Sequence, residues 1–303
     1  MSASSRKVIF AALTGNLLIA CTKFVAAALS GSSAMFSEGI HSVVDTGNQA
    51  LLLYGMHRAR RPADEQFPFG HGKEVYFWSF VVAILIFAVG SGVSIYEGIR
   101  HILHPSPLRD PMVNYVVLGI SMAFEGAAWF FALTEFTKAK GKWGYVEAVQ
   151  RGKDPTVFMV LFEDSAAMLG LLVAAAGVFL AERTGLLWLD GAASVIIGGI
   201  LGATAIWLAV ETKGLLIGES ANRHVVADIK AIAARIPAIE QVHEVLTMHM
   251  GPEYILVNIS VRFARGTTAA EIEDAIARLE ARIKDAHPAA KRIFVEAEAR
   301  AGA

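Results

Sequence analysis

Ser37-Glu38-Gly39-Ile40-His41-Ser42-Val43-Val44-Asp45 sets a histidine and a carboxylate four residues apart, between the apolar flanks Ala34-Met35-Phe36 and Ala50-Leu51-Leu52-Leu53. On a helix this spacing stacks His41 and Asp45 on one face. The run is long enough to enter a bilayer, where an ionisable pair is costly unless it faces a cavity or binds something. One imidazole nitrogen and one carboxylate oxygen make half of a tetrahedral site for a divalent metal. The plainer alternative has the two side chains bonding each other, or capping a kink at Gly39 and Gly47. A second acidic pair, Glu163-Asp164, sits in another apolar run over 157–178, and two spans with buried acid suggest one shared site.

Composition agrees with a membrane setting. Across 303 residues 54% are hydrophobic, and the mean hydropathy of +0.48 is too high for an ordinary soluble protein of this size. A net charge of −1 with basic residues scattered over loops leaves no nucleic-acid footprint. The single cysteine, Cys21, excludes a disulfide framework and a cysteine metal cluster, and packing is its expected role. Arg6-Lys7 before an apolar run resembles a secretory signal, but Lys23 interrupts the run and further spans follow, so a retained first span is expected.

Apolar runs of spanning length fall at 8–29, 33–56, 75–98, 112–136, 155–181 and 187–212, which predicts six transmembrane helices. The connections 57–74 and 137–154 carry Arg58, Arg60, Arg61, Lys73, Lys138, Lys140, Lys142, Arg151 and Lys153, against Arg100, Arg109 and Arg183 on the other side. The positive-inside rule then makes both termini cytoplasmic. Lys23 and Glu97 are expected to snorkel, while Glu125 either pairs across helices or lines a path. Glycine and alanine recur at Gly170, Ala174, Gly177, Gly191, Gly198, Gly199 and Gly202, letting helix backbones approach closely.

After Lys213 the long apolar runs stop. Helices over 227–236 and 269–286 and strands over 242–248, 254–263 and 292–297 are read from periodicity. The predicted fold is an all-α six-helix transmembrane bundle, residues 1–213, followed by a small cytoplasmic α+β domain, residues 214–303. The order helix-strand-strand-helix-strand suits an antiparallel sheet with its helices on one face.

These residues together resemble the cation diffusion facilitator family, the zinc and manganese exporters of the solute-carrier-30 type. The resemblance covers nearly the whole chain. It is carried by Gly31-Ser32-Ser33-Ala34, His41-x-x-x-Asp45, Pro62-Ala63-Asp64, Phe69-Gly70-His71-Gly72-Lys73-Glu74, Asp164, Asp190 and the short C-terminal domain. It implies a transport site built from two residues of span two and two of span five. His41, Asp45 and Asp164 match three of these positions, and the fourth falls on Val160, which has no donor atom. Glu163 is the substitute candidate, about 100° around the helix from Asp164, and the Glu-Asp form resembles the divergent branch with the mitochondrial zinc transporter. For Asn48 and Gln49, interhelical hydrogen bonding is the favoured reading over a ligand role.

Asp64 and His71 match two of three positions of a second, cytoplasmic metal site, the third being Phe67, so at most a weak site is expected there. The same run can equally serve as a turn into span three, with Lys73 at a bundle interface. In the C-terminal domain only His243 matches a metal position, the others reading Asn258 and Phe294-Val295-Glu296-Ala297-Glu298, and His249 is expected at the surface or a turn. The function implied is that of a homodimeric secondary transporter, not an enzyme, in a cell inner membrane of bacterial type. It would export a divalent cation, zinc first and manganese, iron(II) or cobalt as alternatives, in exchange for protons. The cation is substrate and no cofactor is expected; lipid, cations and protons are the partners besides the second copy, and nucleic acid is not. A transport-inactive scaffold and a metal-dependent membrane hydrolase are the rival readings, the latter without a His-Glu-x-x-His motif to support it.

Overall fold

The computed structural model describes residues 3–107 and 110–298, so Arg109 of the outer-loop charge count lies outside the described residues. The chain forms two compact units. The first ends at His57, resumes at Phe77 and ends at Lys213, and the second comprises Arg58–Tyr76 and the described chain from Gly214 onward.

The helices of the first unit are α1 (Ala3–Ser30), α2 (Ser33–Ala59), α3 (Glu74–Leu85), α4 (Gly92–Leu103), α5 (Pro111–Lys140), α6 (Tyr145–Arg151), α7 (Pro155–Thr184) and α8 (Trp188–Ile217), the last running into the second unit. A π-helical segment, Ile86–Ser91, joins α3 to α4 in one continuous rod. Among the described residues four helical segments are long and apolar enough to cross a membrane: Glu74–Leu103, Pro111–Lys138, Phe158–Thr184 and Trp188–Ile217. The six expected spans are therefore four by this measure. α2 spends its length on Ser33, Ser37, Glu38, His41, Ser42, Asp45 and Asn48, all buried. A helix whose polar face points inward is invisible to a hydropathy average.

The end of α1 and the start of α2 are fixed by particular atoms. Gly31 adopts φ 73°, and its N–H donates to Ala27 O at 2.8 Å, a left-handed helix stop that a side chain would strain. Two residues on, the first turn of α2 meets Asp190 of α8. Ser32 Oγ donates to Asp190 Oδ1 at 2.5 Å, while the N–H groups of Ser33 and Ala34 donate to Oδ2 at 2.5 and 3.3 Å. Asp190 thus caps a helix other than its own, a carboxylate at a positive helix end. The hydroxyls of Ser37 and Ser194 hydrogen-bond between the same two helices.

Part of the small-residue pattern, Gly191, Gly198 and Gly202, meets α4 and the π segment, while Gly199 has nothing within 4 Å of where a Cβ would stand. A Cβ on Gly98 would stand 2.7 Å from Gly191 O, one on Gly198 would meet Ile95 Cγ1 at 2.6 Å, and one on Gly202 would meet Ser91 Oγ at 2.8 Å. These helices cross at backbone contact. Cys21 is free and exposed on α1 rather than packed.

In the second unit, α9 (Arg223–Ala234) and α10 (Ala269–Ala286) cover a sheet of β1 (Ile239–Gly251), β2 (Tyr254–Phe263) and β3 (Ala290–Ala297) in the order β1-β2-β3. Ile229 and Ala233 of α9 and Ala275, Leu279 and Ile283 of α10 pack on Ile255, Val257, Ile259 and Val261, the alternate residues of β2. Thr268 begins α10 as a capping box with Glu271. The expected antiparallel sheet is half right. β1 and β2 are antiparallel, with Val245 opposite Ile259, but β3 runs parallel to β2, with Val257 opposite Ile293. The reason is the connection, because α10 carries the chain back along the sheet and the next strand starts from the same end as β2.

The segment Arg58–Tyr76 packs within this unit. A Cβ on Gly72 would come 2.3 Å from Met250 O, so only glycine lets the loop lie on the β1–β2 turn. Lys73 Nζ reaches Leu216 O at 3.5 Å and Met248 Sδ at 3.7 Å. It contacts the end of α8 and β1 rather than a bundle interface.

Candidate metal centre

α2 presents His41, Asp45 and Asn48 at positions i, i+4 and i+7 of one helical face, all three buried. His41 Nδ1 lies 3.3 Å from Asp45 Oδ1, yet both ring nitrogens of His41, Asp45 Oδ1 and Asn48 Oδ1 are buried without a hydrogen-bond partner. Buried polar atoms left so are uncommon and expensive. From α7, Glu163 and Asp164 diverge as adjacent helical residues must. Glu163 turns to α2, where its Oε1 accepts from Asn48 Nδ2 at 2.7 Å, and its carboxyl interacts with that of Asp45.

Asp164 instead lines a cavity of about 530 Å³ with Asp45, Glu125, Val160, Asn16 and Glu135. The cavity continues to Met56 and Thr156. Met56 stands near the end of α2 and Thr156 near the start of α7. Glu125, expected either to pair across helices or to line a path, stands on the wall of this cavity.

Among the described residues no three His, Cys, Asp or Glu side chains converge closely enough to hold a metal ion. The structure brings His41 and Asp45 together and sets Glu163 against them through Asn48. It leaves Asp164 on the cavity wall. Val160, at the position where the resemblance asks for a ligand, lines the same wall.

The neighbouring charge was misread from sequence. Lys23 does not snorkel: it and Glu38 are both 0% exposed, with Lys23 Nζ 3.1 Å from Glu38 Oε2 and donating to Ser42 Oγ at 2.8 Å. Lys23 and Glu38 lie on different helices, and no spacing rule could pair them. Glu97 bonds Arg100 at 3.3 Å in the same helix. Gln49 accepts from Asn16 at 3.2 Å, the interhelical role expected of it. Sequence reading also missed His101, a buried residue of α4 whose Nε2 lies 3.9 Å from Asp190 Oδ2.

The second constellation is a folded loop. His71 Nε2 and Asp64 Oδ2 are 2.8 Å apart, and Asp64 Oδ1 accepts from Phe67 N–H at 2.7 Å. The His71 hydrogen bond, then the Phe67 amide, hold the Asp64 carboxyl below its ordinary value. The Phe67 ring lies 4.6 Å from that of His71. Both oxygens of Asp64 are therefore engaged in the turn. In the C-terminal sheet His249 sits at a turn but is buried, its Nδ1 3.3 Å from Gly251 O.

Residues 9–217 match the cation efflux transmembrane domain, and residues 221–300 match the cation efflux protein cytoplasmic domain. The chain is 34% identical over 259 residues to a frog (Xenopus laevis) protein named proton-coupled zinc antiporter SLC30A9, mitochondrial, covering 85% of this chain and 46% of that one. It is 32% identical over 250 residues to metal tolerance protein C4 of Arabidopsis thaliana, covering 82% and 55%. This chain thus spans about half the length of both. With the manganese efflux system protein MneP of Bacillus subtilis it shares 24% identity over 289 residues, covering 92% of this chain and 91% of that one. The long apolar helices and these matches make it a multi-pass membrane protein of a transporter rather than an enzyme family, with a cytoplasmic domain of the kind that dimerises. On these grounds the chain belongs to the cation efflux family of divalent-metal transporters and stands near its SLC30A9 branch.

Proposed function

We propose that the chain is a proton-coupled exporter of divalent cations, zinc first among them, working as a homodimer with six spans in residues 1–213 and a cytoplasmic domain in residues 214–303. The observation that carries this reading is the buried His41 and Asp45, with both ring nitrogens and Asp45 Oδ1 lacking a hydrogen-bond partner, beside a cavity that Asp45 and Asp164 line together. Carboxylates gathered in a bundle repel one another unless a cation or protons compensate them. Binding a cation requires a neutral imidazole and ionised carboxylates, so one set of atoms carries either the metal or protons, and acid on the far side releases the metal. A cation arriving through the cavity would meet Asp45 and Asp164 first, and closing α7 onto α2 would add His41 and Glu163.

Zinc is favoured by the imidazole and by the name of the SLC30A9 relatives; the carboxylates also suit manganese, iron(II) and cobalt. Dimerisation is supported by an exposed apolar row on the helix-free face of the sheet. Leu246 and Phe294 flank Asn258 there, beside Met248, and Leu246 is 53% exposed. A bacterial inner membrane suits the match to MneP over nearly its whole length. The weak Asp64–His71 site is read as a structural turn.

The test is uptake of Zn²⁺ and Mn²⁺ into proteoliposomes under an imposed pH gradient. Wild type should accumulate metal and alkalinise the lumen in step, as protons leave in exchange, and Asp45→Ala and Asp164→Ala should abolish flux while remaining folded. Absence of flux in wild type would favour the transport-inactive scaffold, the reading motivated by Val160.

A further inference from the structure

A site drawn from α2 and α7 is one donor short, because Val160 presents only carbon to the cavity. We infer that Asn48 supplies the missing element, holding Glu163 toward the cation through its amide N–H and offering its own carbonyl oxygen as a neutral ligand. This rests on the proposed transport site and names what completes it and tunes its selectivity.

Asn48 follows Asp45 by three residues and His41 by seven, so all three share one face of α2. It is 1% exposed. Its Nδ2 donates to Glu163 Oε1 at 2.7 Å, while its Oδ1 is buried and bonded to no protein atom. An amide has donors on one side and an acceptor on the other. Here the donor side is satisfied by α7, and the acceptor oxygen, like the ring nitrogens of His41 and Oδ1 of Asp45 on the same helix, is buried without a hydrogen-bond partner. A residue serving only to tie α2 to α7 would not need its oxygen buried away from every protein donor, since burying an unpaired carbonyl is costly.

The hydrogen bond has a second consequence. It engages Glu163 Oε1 and, together with the contact between the Glu163 and Asp45 carboxyls, fixes the rotamer of this side chain. Outer hydrogen bonds of this kind commonly change metal affinity by about 10- to 100-fold. A carbonyl oxygen is a hard, neutral donor, suited to cations such as Mn²⁺ that take several oxygen ligands, and adds less to the affinity of Zn²⁺, for which imidazole is the better partner. Asn48 therefore broadens the site toward the harder divalent cations.

Calorimetry of purified full-length protein in detergent, with Mn²⁺ and Zn²⁺ separately, tests this. Asn48→Ala should weaken Mn²⁺ binding by about tenfold or more and Zn²⁺ binding by distinctly less, so that the Mn²⁺-to-Zn²⁺ affinity ratio falls. Asn48→Asp, which keeps an oxygen but loses the N–H that holds Glu163, should bind Mn²⁺ more tightly than Asn48→Ala. Loss of both metals in equal proportion in Asn48→Ala, or affinities within about twofold of wild type for both, would overturn the inference. Asn48→Thr, closer in volume, carries the same criteria if the alanine variant does not purify as a folded species. Asp45→Ala run alongside separates the two levels: if it leaves wild-type binding intact, the transport site itself is misplaced, whereas an unaffected Asn48→Ala beside a disabled Asp45→Ala removes Asn48 alone.

Discussion

Replacing Lys23 by methionine keeps an unbranched side chain one atom shorter and removes its charge, leaving Glu38 buried opposite an apolar group. The pair is fully enclosed, at 3.1 Å and 0% exposure on both sides, so solvent cannot screen the loss. Orphaning one member of such a pair costs about 3–5 kcal/mol. A ceiling follows from chemistry, since a glutamate of ordinary pKa near 4.3 can be neutralised at pH 7 for about 1.36 × (7 − 4.3), or roughly 3.7 kcal/mol. The bond from Lys23 to Ser42 Oγ, 2.8 Å long, contributes about 1 kcal/mol more. A loss near 4 kcal/mol corresponds to a fall in Tm of roughly 8–16 °C at about 2–4 °C per kcal/mol for a unit of this size. Glu38→Gln in the same chain should recover much of it, because the amide is isosteric and still fits beneath Gly170, where a Cβ would meet Glu38 Oε1 at 2.4 Å. The assay is thermal unfolding in detergent followed by size-exclusion fluorescence. A fall below about 3 °C for Lys23→Met, or a double variant no more stable than the single one, would show that the two charges are not coupled in the folded protein.

Asp190→Ala should destabilise by about 2–4 kcal/mol, since it orphans Ser32 Oγ and the Ser33 and Ala34 amides together at the start of α2; a variant melting within about 2 °C of wild type would refute the cap. In the loop Arg58–Tyr76 the Asp64 carboxyl is held below its ordinary value of 3.8, first by His71 and then by the Phe67 amide. Its contribution is therefore complete above that value and lost as pH falls through the lower folded one. Hydrogen-exchange protection of the Phe67 amide should drop only in that acid window, and Asp64→Asn should abolish the pH dependence; protection unchanged on acidification would contradict the assignment.

Much of the architecture was legible in the sequence because it depends on local pattern. Spanning runs are contiguous, so α5, α7 and α8 fall close to the apolar limits, and β2 and α10 occupy the residues their periodicity marks. His41 and Asp45 share a face because i and i+4 always do on a helix. The cation efflux family, too, is written in short motifs. What needed the tertiary structure was every pairing between elements distant in the chain. Lys23 finds Glu38 across a helix interface, Asp190 reaches 157 residues back to Ser33, and Asn48 bonds Glu163 from 115 residues away. The direction of β3 was decided by the path of α10 over the sheet. In each case the local sequence offers a charge or an amide with several possible partners, and only packing, by excluding water from all but one of them, determines which bond is made.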